Sequence, residues 1–138
     1  MLVPILAVNV ITPIVLYVGS ILIGEPLDVT NLVALHALAV PYLLCCAAVW
    51  FALSVFLANE SLAQNASAGV LVVAFLVETV FIGTDLEFLG ILTPMNYFDP
   101  TEILVNANYD LAGAGILLAA AVVLVLAGQW QFGRMDIQ

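Results

Sequence analysis

The sequence predicts an all-α, polytopic membrane protein: four transmembrane helices plus one short extracytoplasmic interfacial helix, in a single transmembrane domain over residues 1–138. Three observations predict it. Of the 138 residues 65% are hydrophobic and 8% charged, with a mean hydropathy of +1.24. A soluble domain carries about 25% charged residues, so this chain cannot coat itself for water. Its uncharged runs recur at about 20 residues, enough at ~1.5 Å per residue to cross the hydrocarbon of a bilayer. The polar residues gather between those runs.

The first element, residues 2–23, holds no charged side chain. It lacks the basic start of a signal peptide and is long for an h-region, so a span is the better reading. Pro4 and Pro13 are tolerable in a membrane helix whose neighbours re-satisfy the backbone. A polar link, Gly24 to Asn31, separates it from a second span at 32–58, interrupted only by His36 and Pro41. Ser61 with Gln64 three residues on has capping-box spacing, which predicts a third span over 62–82.

Residues 83–110 are too long a connection to be structureless in a compact protein. Asp99 can cap a short helix with Pro100 at its first position and Glu102 at its third. Its body, Ile103-Leu104-Val105, is apolar enough to lie among lipid headgroups, with Tyr97, Phe98 and Tyr109 suited to the aromatic belt. Asp110 caps the last span, 111–130, and Trp130 and Phe132 mark its interface before a polar tail. Gly113, Gly115, Ala119 and Ala120 open that span; Gly115 and Ala119 stand at small-xxx-small spacing, which allows close helix contact.

Four crossings place both termini on one side. Arg134 is the only base, and the positive-inside rule assigns its end to the cytoplasm of a cell-membrane protein. Glu25, Asp28, Asp85, Glu87, Asp99, Glu102 and Asp110 then face outward, Glu60 and Asp136 inward. Two explanations fit the net charge of −9: the acid bias of halophilic proteins, or a membrane protein's scarcity of charges of any kind. The crowding of acids into water-exposed loops favours the first, and with it a halophilic archaeal source.

One Lys or Arg against ten acids leaves nothing to neutralise phosphates, which excludes a nucleic-acid partner. Cys45 and Cys46, adjacent in an apolar run, form no disulfide framework or metal-ligand spacing and read as packing residues. His36 has no cluster around it, and no nucleophilic triad, HExxH or Gly-rich phosphate loop occurs. The chain is therefore expected not to be an enzyme and to hold no cofactor or metal of its own. Glu78 is the one acid within a span. An acid there is costly and so a candidate for a substrate path or proton relay; its place about one turn from Gly83 also allows an interfacial, hydrogen-bonded role.

The stretch Leu92-Thr93-Pro94-Met95-Asn96-Tyr97-Phe98-Asp99-Pro100 precedes the last span, and the chain closes on Phe132-Gly133-Arg134-Met135-Asp136-Ile137. These segments resemble the Ser/Thr-Pro-x-x-Tyr-x-Asp-Pro outer segment and the Phe-x-Arg-Arg-Asp-Ile tail of ABC-2 type transporter permeases. Pro94, Tyr97, Asp99, Pro100, Phe132, Arg134 and Asp136 carry the resemblance, and Met135 departs from it. It covers about the last 50 residues. The resemblance implies a permease subunit whose partners are membrane lipids, an ATP-binding cassette ATPase that supplies ATP and Mg, and a second permease copy or paralogue. It makes Glu78, Tyr97 and Asp99 candidates for a pathway or gate. Such permeases commonly have six spans, so four read as spans three to six and Met1 as an internal start, a split or a truncation. Two other readings stand beside it: a self-contained proton-coupled exporter using Glu78, and a non-transporting membrane scaffold.

Overall fold

A computed structural model describes residues 2–57 and 59–135. Every long element is helical: α1 (Leu2–Leu22), α2 (Val29–Leu57), α3 (Glu60–Val80), α4 (Pro100–Asn106) and α5 (Leu111–Met135), with 3-10 helices at Glu87–Leu92 and Pro94–Tyr97. Four of these are long and apolar enough to cross a membrane. The protein is an all-α polytopic membrane protein, and α2 is its central element, packing against α1, α3, α4 and α5.

Local chemistry sets the boundaries, and several differ from the sequence reading. The second helix begins at Val29, not 32, because the Asp28 carboxylate accepts from the Thr30 amide (2.7 Å) and its carbonyl from Leu32 (3.0 Å). Thr30 and Asn31 look like linker by hydropathy, yet both sit in the first turn. The expected Ser61–Gln64 capping box is not what starts α3. Asn59 is the cap: extended at φ −142°, its side-chain oxygen accepts from Leu62 N at 3.0 Å, and Ser61 and Gln64 fall inside the helix. The last helix continues past 130 to Met135, since 129–135 contain no breaker that the chain cannot absorb. Arg134 lies over the Trp130 ring, 3.6 Å from its centroid, one turn away.

The α1–α2 turn is held by Ser20, whose buried hydroxyl donates to Tyr17 O (2.8 Å) and accepts from Leu27 N (3.2 Å). Gly24, at φ +80°, makes the left-handed step there. Grooves between α1 and α2 run from Asn9 opposite His36 to Tyr17 opposite Val29. Thus α1 flanks the first half of α2, while α5 runs parallel to its second half, and buried Pro41 marks the changeover.

The core is small. Cys45, Ala48, Leu117 and Ala121 are buried together, with Tyr42, Leu44, Tyr97 and Phe98 packed on them. Lipid tails are as apolar as Leu, so burying large side chains gains little and close backbone approach gains more. Gly128 shows that approach, since a Cβ there would stand 2.6 Å from Phe51 Cε1. The packing stripe is Gly113, Leu117, Ala121 and Gly128; Ala120 flanks it. Gly115 and Ala119, singled out by small-xxx-small spacing, face away and are exposed, and a Cβ on Gly115 meets nothing within 4 Å. The register set by α2, not the spacing alone, chooses the face.

Candidate functional site

Residues 81–110 fold into a compact unit at the end of the bundle where α3 stops and α5 starts. Each turn has a local cause. Gly83 supplies a positive φ of 74°, and Glu87 accepts from its amide at 3.1 Å. Pro94 opens the second 3-10 helix and Pro100 opens α4, each at a position whose missing N–H costs nothing. Asp99 Oδ1 accepts from Thr101 N (2.8 Å) and Glu102 N (3.2 Å), the expected cap. Ala107 ends α4 in the left-handed conformation, φ 51°, with Asn108 N bonded back to Glu102 O at 3.1 Å. Asp110 Oδ1 accepts from Gly113 N at 2.7 Å, the expected cap of α5.

This unit is pinned to α3 and, at two places, to α2. Thr93, buried, has its one hydroxyl hydrogen between two acceptors, Glu78 Oε2 of α3 at 2.9 Å and Gly90 O at 2.8 Å. Gly90 lies under the same carboxylate; a Cβ there would be 3.0 Å from Oε2. Asn31 of α2 donates to Leu104 O (3.3 Å) and accepts from the Tyr109 hydroxyl. Phe98 stacks on Tyr42 of α2, centroids 5.2 Å apart, and Tyr97 donates to Ile91 O at 2.7 Å.

One expectation about lipid contact is thereby corrected. Ile103 does not lie among headgroups: it is 3% exposed where α4 packs on α2, though Val105 is 73% exposed. Tyr97 and Phe98 are half-buried, each with one side packed on the α2–α5 core. Tyr109 is exposed but tied to Asn31.

Between this unit and the bundle lies a cavity of about 240 Å³ lined by Tyr97, Asp99, Asn96, Phe98, Glu102, Asp110, Asn108, Leu38 and Ile103. It brings together two of the three candidate residues, Tyr97 and Asp99. Glu78 is not among its walls. That carboxyl lines a separate, smaller polar space of about 40 Å³ with Glu87, Gly90 and Asn96. Asn96 borders both spaces, and neither it nor Asn31 was a sequence candidate; a lone Asn in a polar link has no periodicity in the sequence to mark it. The larger cavity presents carboxylates to an aqueous guest, but Asp99 and Asp110 already spend one oxygen each on capping.

Other singled-out residues stand apart from this site. His36 has Nδ1 2.9 Å from Leu32 O of its own helix and borders the α1–α2 groove. Cys45 is buried in the core and Cys46 half-buried beside it. Pro94 and Pro100 belong to the unit; Phe132, exposed, and Arg134 lie at the far end of α5, and Asp136 lies outside the described residues. Among the described residues no group of three His, Cys, Asp or Glu is placed to hold a metal ion. Comparison of the chain with known protein families, curated proteins and solved structures finds no match.

Proposed function

We propose that the chain is a permease subunit, or the four-span portion of one, of an ABC-2 type ATP-driven transporter, and forms part of the substrate pathway. The observation that carries this reading is the order of its motifs: Thr93-Pro94, Tyr97 and Asp99-Pro100 ahead of the last span, then Phe132 and Arg134 at its end. The geometry lends support of a general kind. The motif prolines and Asp99 build the compact unit over the bundle, and Tyr97 and Asp99 share its cavity.

In this reading the unit at 81–110 is the external gate, Tyr97 and Asp99 its lining, and both chain termini lie in the cytoplasm of a cell-membrane protein, with Arg134 the inner cation. The Asn59–Glu60 turn then faces the partner ATPase, which binds ATP and Mg. Closure of that ATPase biases the helices between inward- and outward-facing states, which requires a substrate with different affinities for the two. A second permease copy or paralogue completes the pathway. The acid surplus is read as adaptation to a halophilic archaeon's salt. A proton relay through Glu78 has weaker support, because that carboxyl is engaged by Thr93 and separated from the larger cavity.

The deciding experiment is purification of the tagged chain from its native membranes. An ATPase with Walker motifs should travel with it, and the complex in vesicles should show ATP-dependent flux. A chain that purifies with other membrane proteins and no nucleotide-binding partner is a scaffold, and the proposal fails.

A further inference from the structure

The 21 residues of α3 span about 31 Å, close to the ~30 Å of bilayer hydrocarbon. With Glu60 at one edge, Val80 stands at the other, and Glu78 lies half a turn inside it. The Thr93 hydroxyl bonded to Glu78 at 2.9 Å, and Gly90 against the same carboxylate, hold residues 90–93 at that depth. The 3-10 helix Glu87–Leu92 thus folds back beside the last turn of a span instead of standing clear of it.

Past Glu87, whose exposed carboxylate accepts from Gly83 N, what this helix exposes is apolar: Phe88 at 61%, Ile91 at 59% and Leu92 at 84%. Part of its backbone is paired, as lipid contact demands. Leu89 N donates to Leu86 O (3.0 Å) and Thr93 N to Gly90 O (2.8 Å), while the Tyr97 hydroxyl covers Ile91 O. Phe75, Leu76 and Val80 near the end of α3 are exposed as well. We infer that Phe88, Ile91 and Leu92 form a lipid-contact surface, inserted at the bilayer interface beside the end of α3, which anchors residues 83–97 to the membrane. The sequence assigned that contact to Ile103–Val105 of α4; Ile103 is buried there, and the 3-10 helix supplies the larger exposed apolar surface. This inference does not rest on the permease reading.

The test uses the full chain in phosphatidylcholine vesicles. In a Cys46→Ala background, with Cys45 buried, Phe88→Cys and Leu92→Cys carry an environment-sensitive fluorophore and Asn106→Cys serves as the water-facing reference. Labels at 88 and 92 should emit to the blue of the reference and lose about half their intensity when the acyl chains are brominated near the headgroup, as expected for insertion of about 5–10 Å. Emission equal to the reference overturns the inference. So does a blue shift without bromine quenching, which means that protein, such as a second copy, covers the face. The unsubstituted chain gives an independent readout in vesicles doped with an acyl-chain diazirine. Adducts should fall on residues 86–93 as well as on α3, and labelling of α3 alone refutes the assignment.

Discussion

The Thr93–Glu78 bond can be weighed by removing the hydroxyl alone. Thr93→Val keeps the shape of a side chain that is 4% exposed and deletes the hydroxyl that reaches both Glu78 Oε2 (2.9 Å) and Gly90 O (2.8 Å), so the coupling in a double-mutant cycle isolates the Glu78 part. Hydrogen bonds to charged groups contribute about 1.5–3 kcal/mol in soluble proteins. Bonds between membrane helices average about 0.6 kcal/mol and reach roughly 1.7. Glu78 is half-buried, so water replaces part of the lost bond, while Thr93 itself sits in a closed site. The expected loss is therefore about 1 kcal/mol, nearer the membrane figure. Glu78→Gln retains an acceptor and should lose less than Thr93→Val, because only the charge assistance disappears. Unfolding free energies of the four proteins in a double-mutant cycle (wild type, Thr93→Val, Glu78→Ala and both) should show a coupling of ~0.5–1.5 kcal/mol. Protease cleavage between 83 and 97 should quicken in each variant. Additive effects in the cycle, with unchanged cleavage, would refute the claim that this bond fastens the 81–110 unit to α3.

Gly128→Leu should destabilise the α2–α5 contact by about 1–3 kcal/mol, because even a Cβ there meets Phe51; Gly115→Leu, in open space, should not, and thermal denaturation in detergent compares them. Ala107→Gly relieves a left-handed residue and should stabilise the protein by about 0.5–1 kcal/mol in the same assay. Asp99→Ala should remove about 1 kcal/mol of capping and raise hydrogen exchange at the Thr101 and Glu102 amides, with Asp99→Asn restoring protection.

Membrane character and helix number were legible in the sequence because hydropathy integrates over whole segments: 20 apolar residues mean a span whichever neighbour they meet. The Asp99 and Asp110 caps were legible too, since a cap is made within four residues of its own position. Capping also misled where two signals competed, as when Asn59 won over Ser61 by starting the helix earlier. Tyr97 and Asp99, close in the chain, line one cavity, whereas Glu78, grouped with them by the sequence, lines a different space. Asn31, reaching Leu104 and Tyr109 more than 70 positions away, left no local trace.

The sequence by itself, then, determined the solvent this protein occupies, its four long helices and the short capped helix between the last two. Only the tertiary structure decided which face of each helix turns inward, which aromatic residues pack and which stay exposed, and where Glu78 finds its partner. The physical reason is that burial in lipid is nearly neutral for an apolar side chain. Hydropathy cannot rank one helix face above another, and backbone contact at Gly and Ala with a few polar ties settles the arrangement.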